Sequence, residues 1–465
     1  MDNKKLLKAL LRTDFTSFIG KTFDTINPGA EYQANWHIEL IAHHLEAVRL
    51  GQIKRLIINI PPRALKSVCV SVAWPSWLLG INPAARVIAA SYSGVLSTKH
   101  SLDARLVLSS KWYQKLFPQT KLSKTHNQKN KFLTTDNGFR FATSIGGSVT
   151  GEGGDFLIVD DPHNPAQINS LKMRNRVIEW FEQTFVTRLN DKTKGAIVLV
   201  MQRLHPDDLS AHLISSGNWE CLKIPSLAPK NIEYNFGKFH KLYEENELLN
   251  QQRDKHEFLL NLEQEIGTRN YAAQFLQEPL PANYNLLSLE NIHYFEKAPE
   301  SFDYFVHSWD SAIKVSEKAD YTVGTLWGVV ADKYYLLGMI RKKLSYTDLK
   351  NEVEKQINKY KPRFVLIEDK ASGQSLIQDL KLAGFVNIKP IKPTLDKVTR
   401  FASVVQYFEN GQVLVPAKSA FNRVLIAEIT NFPNSKNDDI VDSVSQFLNF
   451  IKGQNKQGGV KVRML

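Results

Sequence analysis

Two rhythms of hydrophobic positions alternate along the first half of the chain. Short, largely apolar runs at 56–60, 87–90, 139–142, 156–159 and 195–201 predict buried strands. Between them, 37–50, 68–79 and 173–190 carry their bulky residues at helical spacing, and Gly51 stops the first of these. Strands that alternate with helices predict a mainly parallel sheet with its functional edge at the strand carboxyl ends. The rhythm breaks near 225. Prolines at 225, 229, 279, 281 and 299 bracket a charged, helical-looking piece over 244–280, which predicts a linker subdomain. Apolar runs resume at 305–309, 321–330 and 333–340 as a meander. A helix at 349–359, a strand at 364–367 and a helix at 375–382 follow. A last amphipathic stretch, 437–450, sets Val441, Val444, Phe447 and Leu448 on one face. The chain thus divides into a helical lead-in at 1–30, an α/β unit at 31–224, the linker at 225–299, a second α/β unit at 300–451 and a flexible basic tail at 452–465.

Composition narrows what such a chain does. With 465 residues, 43% hydrophobic and 23% charged, two domains with their own cores are expected. A net charge of +12 suits a polyanionic partner. The two cysteines, Cys69 and Cys221, form no Cys-x-x-Cys pair, which argues against a zinc ribbon or a disulfide framework and fits a reducing cytosol. Lys8, Arg12 and Asp14 interrupt the leucines of the amino terminus, so it predicts an amphipathic helix and no signal peptide. The longest apolar run, 68–81, is too short to span a bilayer, and no membrane association is expected.

Chemistry enters at the loop after the first strand, Pro61-Pro62-Arg63-Ala64-Leu65-Lys66-Ser67. The prolines end the strand, and Lys66-Ser67 opens a helix. That is the layout of a phosphate-binding loop: the Lys66 charge on the terminal phosphates, the Ser67 hydroxyl on Mg²⁺, and free helix N–H groups around them. Ile60 and Leu65 stand where the consensus has glycine, and Arg63, three residues before Lys66, is expected to reach the γ-phosphate from the same chain as a catalytic contact. Downstream, the run 156–159 ends in Asp160 and Asp161, one carboxylate for Mg²⁺ and one to activate water. Gln202, at the tip of another strand, is placed to sense the γ-phosphate, and Gln33 and Trp36 could hold an adenine ring by edge hydrogen bonds and stacking. In the second half, Asp310 and Glu368 end strands, and Asp438, Asp439 and Asp442 head the last helix. These acids converge only if the two strands are neighbours and the helix docks over them, which is the ribonuclease H-like arrangement. Clustered carboxylates imply a cation, here two Mg²⁺ or Mn²⁺ ions suited to phosphodiester cleavage. Asp320 is a further candidate ligand.

Together these strings resemble the large terminase subunit of tailed bacteriophages. The resemblance runs from about Tyr32 to Phe450 and also includes SYS at 91–93, VTGEGGDFLIVDDPH at 149–163, VMQRLHPDDLSAHL at 200–213, AQFLQEPLP at 273–281, VLIEDKASGQSLIQDL at 365–380 and DDIVDS at 438–443. It implies a RecA-type P-loop ATPase followed by a ribonuclease H-like nuclease. The implied function is ATP-driven packaging of double-stranded DNA into a procapsid, with a two-metal endonuclease that cuts concatemers. Implied partners are the portal protein, the small terminase subunit and further copies in a ring, a pentamer by expectation. The implied setting is the host bacterial cytoplasm. The family often has Glu where Asp161 stands, and often an arginine acting across the subunit boundary from the Gly-rich segment. Here Glu152 lies in that segment, and Arg140 is the candidate. An ATP-dependent helicase-nuclease of DNA repair is the alternative.

Overall fold

The computed structural model describes residues 3–149, 151–281, 285–311, 321–435 and 437–458. The chain forms two compact units, one of Met1–Glu263 with Thr268–Ala282, the other of Gln264–Gly267 with Asn283–Leu465. In the first, β1 (Arg55–Asn59), β2 (Arg86–Ser91), β3 (Leu122–Asn127), β4 (Lys131–Thr134), β5 (Phe139–Ser144), β6 (Phe156–Asp160), β7 (Ala196–Met201) and β8 (Glu220–Lys223) make one sheet, in the order β3-β4-β5-β2-β6-β7-β1-β8. All pairings from β5 to β8 are parallel, and β3 and β4 add an antiparallel edge. The runs of the central strands are largely apolar because both faces are covered. Leu56, Ile58, Val198 and Val200 join one core cluster with Phe15, Phe18 and Trp77; Ile57, Ile197 and Leu199 join the other with Trp180 and Phe185.

The expected lead-in at 1–30 is therefore core material. Asp14 caps the helix Phe15–Ile26 through its bond from the Ser17 amide, and Phe18 meets Trp77 edge-on at 5.0 Å. The expected linker at 225–299 is divided. Its first part forms a hairpin, β9 (Ile232–Phe236) with β10 (Phe239–Tyr243), whose Tyr234 and Tyr243 pack on Trp36. Trp36 is thus a packing residue. Helices His256–Ile266 and Thr268–Gln274 follow.

The second unit holds a seven-stranded sheet. Its strands are β11 (His293–Phe295), β12 (Tyr304–Asp310), β13 (Thr322–Val330), β14 (Lys333–Lys342), β15 (Phe364–Glu368), β16 (Ile388–Ile391) and β17 (Val413–Pro416), in the order β11-β17-β14-β13-β12-β15-β16. The meander β12-β13-β14 is antiparallel, and β15 lies parallel against β12. Helix Asp439–Gly458 lies over β12 and β13, with Phe447 stacked on Trp327 at 4.4 Å. A polar clasp fixes it. Ser308 Oγ donates to the Ser443 carbonyl at 2.8 Å, Ser443 Oγ donates to the Ser308 carbonyl at 2.9 Å, and Gln446 Nε2 donates to Ser308 Oγ at 2.9 Å. The helix continues to Gly458, into the stretch expected as a flexible tail; residues 459–465 lie outside the described ones. So does Asp320. No helix among the described residues is long and apolar enough to cross a membrane.

Candidate active sites

The first site forms where β1, β6 and β7 end side by side. The loop after β1 turns sharply: Arg63 and Leu65 have φ of 63° and 58°. Left-handed backbone costs a side-chain-bearing residue roughly 1–2 kcal/mol, which is why glycine is the consensus choice. Leu65 thus keeps the glycine-like conformation without the glycine. Lys66 is buried, and its Nζ stands 2.9 Å from Gln202 Oε1 and 3.0 Å from Asp161 Oδ1. Ser67 Oγ donates to Asp160 Oδ1 at 3.1 Å. The helix then opens with a π-helical stretch, Val68–Ala73, before the α-helix Trp74–Ile81. Such stretches are frequent at functional sites. Here Ser71 Oγ donates to Asp160 Oδ2 at 2.6 Å, and His100 Nδ1 lies 3.4 Å from the same oxygen. Burial raises the pKa of Asp160, opposed by the Ser71 hydrogen bond and the Lys66 charge; burial likewise raises Asp161, opposed chiefly by Lys66. Asp161 is itself left-handed, at φ 45°.

The structure brings Lys66, Ser67, Asp160, Asp161 and Gln202 together. Gln33, Arg63, Ala64 and Leu65 line an adjoining cavity of about 110 Å³ with His37 and Arg253. Pro61 is buried at the strand end and Pro62 half-buried beside it. Arg63 lies at the surface, and its carbonyl accepts from Arg253 Nη1 at 2.5 Å. Sequence reasoning missed Ser71 and His100, and also Gln274 and Gln277. Gln202 Nε2 donates to Gln274 Oε1 at 3.4 Å, and the Arg203 amide donates to Gln277 Oε1 at 2.9 Å. AQFLQEPLP held these two in plain view, but nothing in it gave either glutamine a role. Arg140 is corrected. It is fully buried under the phosphate-loop helix and donates to the Ser71 carbonyl at 3.0 Å, so it cannot reach another subunit.

The second site stands at the ends of β12 and β15. Their parallel register sets Trp309 opposite Ile367, which places Asp310 and Glu368 at neighbouring strand ends. Helix Ala371–Leu382 leaves so abruptly that a Cβ on Gly373 would lie 1.9 Å from the Glu368 carbonyl oxygen. Only glycine permits that approach. Asp439 and Asp442 occupy the first turn of the closing helix. Glu428 Oε1 holds that turn, accepting from the amides of Ile440 at 2.6 Å and Val441 at 3.3 Å. Burial, and then the charges of Asp442, Glu368 and Asp439, push Asp310 well above the usual carboxylate range. The acids have therefore converged. Basic residues stand among them: Lys397 Nζ is 2.6 Å from Asp438 Oδ1 and 2.7 Å from Asp442 Oδ2, and Arg400 bonds Asp442. Burial works against the Lys397 charge, but Asp438 and Asp442 outweigh it and raise its pKa. Among the described residues, no group of three or more such side chains is already drawn together to hold a metal ion. The donor set nonetheless fits one. It is all oxygen, as hard divalent cations require, and Glu368 Oε1 is paired with Lys370 Nζ at 2.6 Å, a cation whose place a metal ion could take.

Residues 307–450 match the family model of the terminase RNaseH-like domain. Among solved structures, the large terminase of a thermophilic bacteriophage superposes with a TM-score of 0.56 at 12% identity, covering 91% of this chain and 100% of that one. The same phage terminase in complex with ATP-γ-S gives 0.53 at 13% identity, over 88% and 98% of the two chains. At such identity the likeness establishes the fold. No curated protein matches the chain in sequence.

Proposed function

We propose that this chain is a viral DNA-packaging motor subunit with its own endonuclease, because residues 307–450 match the terminase RNaseH-like domain and the chain has the fold of a phage large terminase. One observation carries the motor half: Lys66 and Ser67 reach two different acids at the end of one strand, 3.0 Å to Asp161 and 3.1 Å to Asp160. Lys66 neutralises charge on the transferring phosphoryl group of ATP, Ser67 and Asp160 serve Mg²⁺, and Asp161 orients the attacking water. Gln202, already bonded to Lys66, stands where the γ-phosphate arrives. The similar terminase of the thermophilic phage was solved with ATP-γ-S, which supports ATP as the fuel here.

In the nuclease half, Asp310, Glu368 and Asp439 would hold Mg²⁺ or Mn²⁺, which when bound supply the positive charge for cleaving a phosphodiester. Asp438 and Asp442, tied to Lys397, are the acids that could complete the set. The net charge of +12 suits double-stranded DNA. Portal protein, small terminase subunit, a ring of copies on the procapsid and the host bacterial cytoplasm complete the proposal. A repair helicase-nuclease is disfavoured, because a helicase calls for a second RecA-like sheet and the second unit offers an antiparallel meander instead. ATPase and DNA-cutting assays on Lys66→Ala and Asp310→Asn test the assignment. Each should lose one activity and keep the other. Loss of both activities in both variants, or of neither, overturns it.

A further inference from the structure

The second unit holds a cavity that none of these roles uses. It has a volume of about 580 Å³, and Arg341, Arg423, Asn431, Asn434, Ser435 and Asn437 line it, with the buried Glu428. Glu428 fixes its place, since the same carboxylate holds the amides of Ile440 and Val441, the residues that follow Asp439. The cavity therefore adjoins the acid cluster and shares a helix end with it. Arg341 is set for a ligand. Its guanidinium carbon lies 3.9 Å from the centroid of the Tyr321 ring, and its Nη2 is 3.8 Å from Glu428 Oε2, too far for a hydrogen bond. Its Nε and Nη2 are buried and, among the described residues, donate to no acceptor. A planar fork held by a ring, with two N–H directions unused, matches two oxygens of one phosphate. Guanidinium, amide and hydroxyl donors are also the groups that proteins place on DNA backbones.

We propose that this cavity seats a backbone phosphate of the strand being cut, next to the scissile phosphodiester. The inference rests on the nuclease reading and gives it what the acids lack. Asp310, Glu368 and Asp439 repel a polyanion, and the nearby Lys397 and Arg400 are tied to Asp438 and Asp442, so a strand gains from a further cationic hold close by. Arg341 and Arg423 supply that hold, and the helix end shared with Asp439 keeps seat and acids in register.

The test is anisotropy of a labelled DNA duplex bound to the full chain in EDTA, over a salt series. Arg423→Ala alters a surface residue, so its melting midpoint should match wild type. It should weaken binding several-fold and flatten the slope of log K against log salt by about 0.9, the signature of one lost phosphate contact. Arg341→Lys keeps a charge facing Glu428 but loses the fork, and should also bind more weakly. Unchanged affinity and slope in both variants overturn the proposal. So does weaker binding of Arg423→Ala with an unchanged slope, and so does a loss of deoxynucleoside monophosphate binding alone, which would mark a free-nucleotide site; Arg341→Lys, which keeps its charge, should weaken binding at the wild-type slope. Failure of the wild-type chain to cut DNA in Mn²⁺ would instead sink the nuclease reading, whatever the slopes.

Discussion

Lys66 has two side-chain partners, Asp161 and Gln202, which an arriving phosphate must replace or share. Its ammonium offsets the burial of Asp161, so Lys66→Ala both removes a transition-state contact and strands a carboxylate. Removing one preorganised charge of this kind costs about 10²–10³-fold in turnover. We expect at least that loss in phosphate release, with DNA cutting retained; turnover within about threefold of wild type would remove the loop from the mechanism. At this scale the sequence was legible where a residue type has one chemical use, as with Lys66, Ser67 and Asp160. It was misleading where backbone decides. Leu65 departs from the glycine consensus, yet the loop keeps φ at 58° there. Arg140 looked available because arginines are seldom buried, and only the packing of β5 beneath the π-helical stretch shows that its guanidinium is committed to Ser71.

The five central strands of the first sheet, β5, β2, β6, β7 and β1, were legible because both their faces are covered, whereas β3, β4 and β8 at its edges carry no such apolar run and were not. Nor was the hairpin 232–243. Its alternating Ile232, Tyr234 and Phe236 carry the period of a strand, but neighbouring charges and prolines read as linker. Two helix ends carry predictions. The Leu209 amide, at the start of helix Leu209–Ser215, donates to His163 Nε2 at 2.9 Å, so that ring is neutral there. Burial, partly opposed by Asp208, lowers His163 from 6.5 to about 4. The folded chain thus declines a proton that the unfolded chain accepts below 6.5. Its contribution is complete above pH 6.5 and is lost as pH falls towards 4, at up to about 1.4 kcal/mol per pH unit. His163→Gln still offers the amide an acceptor, so its urea midpoint should fall less between about pH 7 and pH 5 than that of wild type; Asp160 and Asp161, shifted the other way, are common to both chains. His37, His44, His100, His205 and His307, lowered by burial in the same direction, are likewise common to both chains, so equal falls would discard His163 as one of the acid-sensitive groups. At the other helix, Glu428→Ala leaves the Ile440 and Val441 amides without their acceptor. It should destabilise the second unit by about 1–3 kcal/mol, read as a lower melting midpoint, whereas Glu428→Gln should recover most of it.

For the whole molecule, the two units have separate cores, so each should respond to its own ligand. Metal bound only by the folded state stabilises it by mass action. Mg²⁺ or Mn²⁺ should therefore raise the melting transition of the second unit in the full chain. Asp310→Asn, relieved of repulsion from Asp442, Glu368 and Asp439, should melt no lower than wild type in EDTA and gain less from added metal. Equal gains would exclude Asp310 as a ligand. Fold class was legible at this scale because Asp310 and Glu368 end two runs, separated by the rest of the meander, that must pair for the acids to meet. The boundaries were not, because the chain passes from one unit to the other more than once between Glu263 and Asn283.

That interleaving governs how the gene can be divided. A fragment opened at codon 300 would delete Leu286, Leu287 and Ile292 from their core and take β11 from the edge of β17. One closed at codon 224 would lose the hairpin over Trp36 and the glutamines that brace Gln202 and Arg203. Residues 264–267 and 268–282 belong to opposite units, so no single cut yields two whole halves. Soluble fragments should come from overlapping segments of the same reading frame, one running through about 282 and the other beginning no later than about 264.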